Sequence, residues 1–428
     1  MGSYKQWFDK DELKEIFRVH WETFKGRFSR YRSKRYEEAV KKMLGCGDPE
    51  NGFATYICSK CGREEKKIAF SCKSCFCLTC AKVYTDQWAR RIESILFPGV
   101  AYRHVVLTMP EELRDCFYQE VELLSDLMKE GIKCLEDTLS TILRRKVSGG
   151  YIIVVQTNGR SGSYNPHLHI IMTSGGLAVG RHGEYWLKLR YLPYEVVHKK
   201  WQYYLFEMLK ERVPTRQMRV MIDKLYRKYP NGLVANVQKG EVPKRIKGLA
   251  KYLAKYVVSP PISVRRIISY NGKRVKYWYN DHKSGRRKEE EVDVFRFIGR
   301  MVQHILPKGM QRIRYYGLHA TAVYEKVRKK VEAILPAEAA QCRETFTIGR
   351  NKYRQMVIDA SGKDPFVCSY CGGEMMLWKI WHPSYGVLYD EEERLKSGYY
   401  ERDERERDQD VGDTGHMLLQ LSLPGLWA

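Results

Sequence analysis

Residues 151–173 read YIIVVQTNGRSGSYNPHLHIIMT, and this stretch decides the fold. Two apolar runs, YIIVVQT and HLHIIMT, flank a loop rich in glycine, serine and asparagine, a pattern that predicts a β-hairpin. Residues i and i+2 of a strand share a face, so His167 and His169 can turn both imidazoles toward one divalent cation. About eighty-five residues on, KGLAKYLAKYVVSPPIS predicts a basic helix that carries Tyr252 and Tyr256. At i and i+4 the two phenols share a face, about 6 Å apart along the axis. They can be presented to one metal-bound phosphate. Lys251 and Lys255, one residue before each tyrosine, suit phosphate contacts or simply a solvated basic face.

Each signal has a plainer reading on its own: a strand with two half-exposed histidines, and an aromatic stripe on a packed helix. Their joint occurrence in a basic chain favours chemistry. Phosphodiester transfer needs an in-line nucleophile, charge compensation on the non-bridging oxygens, and storage of the broken bond's energy. A tyrosine phenolate meets the first and last needs by forming a phosphotyrosine. A divalent ion on imidazole ligands meets the second as a Lewis acid. Mg²⁺ or Mn²⁺ suits phosphate, with imidazoles tilting affinity toward Mn²⁺.

Composition points the same way. The 428 residues carry 75 Lys+Arg against 51 Asp+Glu, a formal net charge of +24, which favours nucleic acid as partner over a membrane surface. Residues 390–413 hold eleven acids and five bases, so the body of the chain is more basic still, and this tail composition predicts disorder. Runs such as YIIVV are too short to span a bilayer, and the charged N-terminus does not read as a signal peptide. A cytoplasmic, nucleoid-associated protein is expected.

Seven of the twelve cysteines fall between Cys46 and Cys80, as Cys46-x11-Cys58-x2-Cys61-x10-Cys72-x2-Cys75-x-Cys77-x2-Cys80. Clustered CxxC pairs in such a protein predict zinc, one or two ions. The spacing leaves the ligand set open; the preferred primary set is Cys58, Cys61, Cys77 and Cys80. Cys368 and Cys371, in FVCSYCGGEMMLWKIWH, look like half of a further site, with His382 or Cys342 to complete it.

The expected class is α+β, a central antiparallel sheet of about five strands flanked by helices. N-terminal helices and the cysteine module are expected over 1–98 and the catalytic domain over 99–335, with a helical insertion near 181–230. A C-terminal region then spans 336–389, with the charged tail over 390–428. YRHVVLTM predicts a strand, TMPEE the start of a long helix to about Arg145, and VRRIISYNGKRVKYWYNDH a basic hairpin turning at Asn271-Gly272. In that hairpin Arg265, Arg266, Lys273 and Arg274 alternate with aromatic residues, a mix suited to single-stranded nucleic acid.

The chain resembles the two-tyrosine HUH transposases of rolling-circle insertion sequences, of the insertion sequence ninety-one type. The resemblance runs from about Cys46 to Gly317 and rests on RHVVLTMP, NPHLHIIMTSGGL, YLAKYVVSPPIS, the hairpin ending in DHKSG, and FIGRMVQHILPKGMQRIRYYG, in that order. It implies an HUH endonuclease that nicks and joins single-stranded DNA at transposon ends and target. His167 and His169 match the metal-binding histidines, and Tyr252 and Tyr256 the paired nucleophiles. A third ligand is usual there, and Gln156, on the neighbouring strand, offers a carbonyl oxygen. Where relatives usually show Arg-His-Cys-Pro, this chain has Cys75-Phe76-Cys77-Leu78. No G-x-x-x-x-G-K-[ST] phosphate loop is present, so strand separation is expected from a host helicase or from replication. Two other readings share parts of this evidence: a replication initiator or relaxase with the same core, and a zinc-containing DNA-binding protein without catalysis.

Overall fold

The computed structural model describes residues 12–72, 74, 76–237, 262–263, 266–281, 284–335, 354 and 364–397. The described part opens with α1 (Glu12–Arg27) and α2 (Lys34–Leu44), then β1 (Phe53–Cys58), β2 (Glu65–Ala69) and α3 (Leu78–Ile95). Next come β3 (Tyr102–Leu107), α4 (Arg114–Gln119), α5 (Leu123–Leu143), and the hairpin β4 (Gly150–Asn158) and β5 (Tyr164–Thr173). A second hairpin, β6 (Gly175–Gly180) and β7 (Gly183–Lys188), leads into α6 (Tyr194–Arg212), α7 (Arg216–Lys228) and β8 (Ala235–Val237). After them run β9 (Ile267–Tyr270), β10 (Arg274–Asn280), β11 (Arg287–Asp293), α8 (Val294–Val302), β12 (Ile313–Gly317) and α9 (Tyr324–Ile334). The described part ends with β13 (Met375–His382), β14 (Gly386–Asp390) and α10 (Glu391–Lys396).

Two compact units emerge, one of residues 1–37 with 81–345, the other of 38–80 with 346–428. The larger is built on a five-stranded antiparallel sheet in the order β12-β4-β5-β3-β8. Alternation sorts its residues. Val105, Leu107, Tyr151, Ile153, Val155, Leu168, Ile170 and Met172 face one side and share a core with Leu124, Leu127 and Leu135 of α5 and Trp201 and Leu205 of α6. Each such side chain stabilises the fold by about 1.5–3 kcal/mol. Gly131 lets α5 lie close on β5, since a Cβ there would stand 2.7 Å from Leu168 Cδ1. The opposite face is left for His104, Gln156, His167 and His169.

The α+β architecture and the five strands are as expected, while three details differ. The helix predicted from Thr108 to Arg145 breaks into α4 and α5, because Glu120 leaves helical geometry (φ −112°, ψ 83°) while its N–H still reaches Cys116 O. The basic hairpin gains a third, acidic strand: in β11, Glu291 pairs with Arg274 (2.8 Å) and Glu289 with Lys276 (3.0 Å). The acidic run predicted to be disordered opens with α10, whose N-cap Asp390 accepts from Glu392 N and whose first-turn glutamates suit the helix dipole.

The meander β9–β11 and α8 grip the turn of the histidine hairpin. Tyr277 donates to Ser161 O (3.0 Å), and Arg300 bonds Glu290 (2.9 Å) and Tyr277. Buried His304 donates from Nε2 to Gly162 O (3.1 Å), leaving Nδ1 to accept from the Thr157 hydroxyl (3.0 Å). Buried His319 stacks on Phe97 and sits 3.1 Å from the Tyr102 hydroxyl. Burial pushes both histidines down to about 3. Those values lie below the unfolded ~6.5, so the unfolded chain binds more protons as pH falls, and stability present above pH ~6.5 is lost toward the folded values. Between pH 7.5 and 5 each histidine should cost about 2 kcal/mol, roughly 4 together. Urea titrations at the two pH values test this; a His304→Gln, His319→Gln variant that keeps the full pH slope would refute it. Among the described residues no helix is long and apolar enough to cross a membrane.

Candidate functional site

His167 and His169 sit on β5 with ring centroids 4.9 Å apart. In the β4–β5 register Gln156 is directly opposite His167, and Val154 opposite His169. Gln156 is buried on the same face as the imidazoles. The structure therefore brings together the three residues expected to hold the catalytic ion.

Hydrogen bonding fixes which nitrogens are available. His167 Nδ1 lies 2.7 Å from the Asn165 carbonyl, which can only accept, so Nδ1 carries the proton and Nε2 keeps its lone pair. His169 Nδ1 lies 2.9 Å from Nε2 of His104 on β3. For His169 to offer Nε2, it must donate from Nδ1, which makes His104 the acceptor. All three imidazoles favour the neutral form. Burial pushes His104 down to about 4. Burial, then the neighbouring His167 and His104, hold His169 well below its usual value. Burial lowers His167 too, against the opposing pull of the Asn165 carbonyl.

This donor set fits a divalent cation. The Asn165 Oδ1, two residues before His167 on the same strand face, is buried with no hydrogen-bond partner among the described residues. Such an orphaned acceptor beside two neutral imidazoles is what a cation would satisfy. His104 was not singled out from the sequence. It sits in the expected strand YRHVVLTM, and alternation with buried Val105 and Leu107 puts it on the histidine face.

A second feature absent from the sequence reading is a cavity of about 270 Å³, lined by Arg30, Arg35, Tyr36, Tyr118, Gln119, Val121, Glu122 and Pro307. The Arg30 guanidinium lies 4.2 Å over the Tyr118 ring, which packs 5.0 Å from Tyr164 at the start of β5. Basic and aromatic groups of this kind suit an unpaired base and its phosphate. Of the other expected nucleic-acid contacts, Arg266 stacks on Trp278 (5.6 Å), as does Arg287 from the other strand (4.7 Å). Lys273 is exposed in the Asn271-Gly272 turn, while Arg274 is engaged by Glu291. Tyr252, Tyr256, Lys251, Lys255 and Arg265 lie outside the described residues, as does Cys75.

The cysteines assemble differently from the preferred spacing. Cys46, Cys72, Cys77 and Cys80 bring their sulfurs within 4.8 Å of one another. Cys46 follows α2, Cys72 follows β2, Cys77 precedes α3 and Cys80 lies in its first turn, where the helix dipole favours thiolate. Four sulfurs at this spacing fit tetrahedral Zn²⁺. Cys58 and Cys61 are not part of this set; they gather with Cys368 and Cys371. Neither His382 nor Cys342 is needed to complete that group.

Comparison with known sequences agrees. Residues 16–109 match the family described as "Transposase zinc-binding domain", and residues 150–327 the family described as "Putative transposase". The two matches define a transposase, a class of enzyme that breaks and joins DNA. The matches are consistent with a transposase of the insertion sequence ninety-one type, its zinc-binding domain included. It is similar to the transposase for insertion sequence element IS801 of Pseudomonas savastanoi pv. phaseolicola, 26% identical over 353 residues, covering 79% of this chain and 82% of that one. It is also similar to a "Putative transposase y4qJ" of Sinorhizobium fredii (strain NBRC 101917 / NGR234), 25% identical over 398 residues, covering 86% and 95%. No solved structure matches the chain.

Proposed function

We infer that this transposase is an HUH single-strand endonuclease and strand transferase, acting in rolling-circle transposition through 5′-phosphotyrosine intermediates. The observation that carries this reading is the pair of imidazoles on β5, with the His167 proton held on Nδ1 by the Asn165 carbonyl so that Nε2 keeps its lone pair. Mg²⁺ or Mn²⁺, when bound there, supplies Lewis-acid charge compensation to the scissile phosphate. His167, His169 and Gln156 hold it, and His104 orients His169.

Tyr252 or Tyr256 supplies the nucleophile. The phenolate oxygen bonds phosphorus, the P–O3′ bond breaks, and the leaving 3′ oxygen takes a proton. The reverse step, attack by a 3′-OH on the phosphotyrosine, rejoins strands and frees the phenol. Two tyrosines allow two linked cleavages. The Arg30–Tyr118 cavity and the Trp278 patch give single-stranded ends and target a surface for unpaired bases. Strand opening falls to a host helicase or to replication.

Labelled single-stranded end oligonucleotides incubated with Mg²⁺ or Mn²⁺ test the reading. Wild type should yield an SDS-resistant protein–DNA adduct that needs metal and vanishes in the Tyr252→Phe, Tyr256→Phe double variant. If wild type binds both ends yet forms no adduct with either metal, the reading fails and a non-catalytic zinc DNA-binding role replaces it.

A further inference from the structure

The smaller unit is assembled from two segments far apart in sequence, and its sheet shows how they meet. The strand order is β14-β13-β1-β2, so N-terminal β1 lies between its hairpin partner β2 and C-terminal β13. Register places Cys58 opposite Met375, at the mouth of both turns.

Each turn is a knuckle of the same design. In the first, Cys58-Ser-Lys-Cys61-Gly62, the Gly62 N–H donates to Cys58 O (3.0 Å) and Gly62 adopts φ +63°. In the second, Cys368-Ser-Tyr-Cys371-Gly372, the Gly372 N–H donates to Cys368 O (3.0 Å) with φ +69°. Both glycines occupy the left-handed region that side chains disfavour. The knuckles also close on each other. Ser369 N–H donates to the Glu64 carboxylate (2.5 Å), Ser59 N–H to Glu374 O (3.0 Å), and Lys66 to Val367 O (3.0 Å). Tyr56 packs against Phe366, ring centroids 4.6 Å apart.

At the centre stand four sulfurs, Cys58 3.5 Å from Cys371 and Cys61 3.7 Å from Cys368. All four ligand atoms lie within 4.8 Å of one another. Among the described cysteines none is disulfide-bonded. Space around them is tight: a Cβ on Gly373 would come 2.7 Å from Lys60 Cβ and 3.1 Å from Cys58 Sγ. Two CxxCG knuckles facing each other with four converging thiols make a closed tetrahedral S4 donor set, which selects zinc among common divalent ions.

We propose that a second zinc ion is bound by Cys58 and Cys61 of the N-terminal module together with Cys368 and Cys371 of the C-terminal segment, joining two segments that the nuclease sequence separates along the chain. The match to the zinc-binding family ends at residue 109, so half of this site lies outside it. The N-terminal module alone then holds one complete site and half of another, and the C-terminal segment is part of the zinc module.

The test uses the full-length chain purified with zinc. Metal analysis should give two ions per chain, and iodoacetamide mapping should find Cys368 and Cys371 as protected as Cys58 and Cys61. A chelator should expose those four together. The Cys368→Ser, Cys371→Ser variant should carry one ion and keep Cys46, Cys72, Cys77 and Cys80 protected. Gly373→Val, which leaves every thiol in place, should lose the same ion. Rapid alkylation of Cys368 and Cys371 in zinc-loaded wild type, or two ions retained in the double variant, overturns the proposal. Should the double variant lose both ions, wild-type mapping decides: joint release of the four thiols supports the shared site, and independent release overturns it.

Discussion

His169→Ala should lower metal-dependent cleavage of single-stranded end DNA by roughly a thousandfold, while leaving DNA binding near wild type. A Lewis acid on a transferring phosphate supplies several kcal/mol of charge stabilisation, and losing about 4 kcal/mol of it corresponds to that factor. The reason lies on β5. His169 can offer Nε2 only while Nδ1 is tied to His104, and His167 only while Nδ1 is tied to Asn165 O. His104→Ala keeps both ligands and removes the partner that sets the tautomer of one. Its expected effect is smaller, about 10- to 100-fold in metal affinity. Metal titration of cleavage separates the two: His104→Ala should recover at high Mn²⁺, and His169→Ala should not. Equal losses for both, with no rescue, would place the ion elsewhere.

The parts of this site that were legible in the sequence share one property: a local period. The β4–β5 hairpin announced itself because apolar residues and histidines alternate along HLHIIMT, and the same alternation sends Leu168 and Ile170 into the core. His104 escaped because a single histidine in a strand has no pattern of its own; only its register across β3 and β5 gives it a role. Strand β11 escaped for a different reason. Its residues RKEEEVD bury only Val292, so hydrophobic alternation is silent, and cross-strand ion pairs with β10 take its place. The cysteines show the limit of spacing most plainly. Counting CxxC pairs favoured Cys58 and Cys61 with Cys77 and Cys80. The partner of Cys58 is instead 313 residues away, brought in by the β1–β13 pairing that no local count can see.

The second large effect concerns the zinc that the cysteines imply. Removing it with a chelator should melt the smaller unit while the five-stranded sheet stays folded. The contrast follows from what each unit buries. The sheet unit has a broad apolar core running from α5 through β3, β4 and β5 to α6. The smaller unit has a core cluster of Cys58, Phe366, Cys368 and Met375, in which two of the four residues are themselves candidate ligands. Phe366 and Met375 contribute about 1.5–3 kcal/mol each by burial, whereas a structural zinc site contributes about 10–16 kcal/mol at neutral pH. Metal binding is therefore expected to dominate the folding of that unit. Amide hydrogen exchange with and without zinc measures it directly. Protection in β1, β2 and β13 should collapse on metal removal, and protection in β4 and β5 should persist. If β1 stays protected in a chain shown to be zinc-free, packing alone holds the unit and the metal is an accessory. If β4 and β5 lose protection as well, folding of the nuclease sheet depends on the zinc module, and the catalytic effects of cysteine variants must be read through stability.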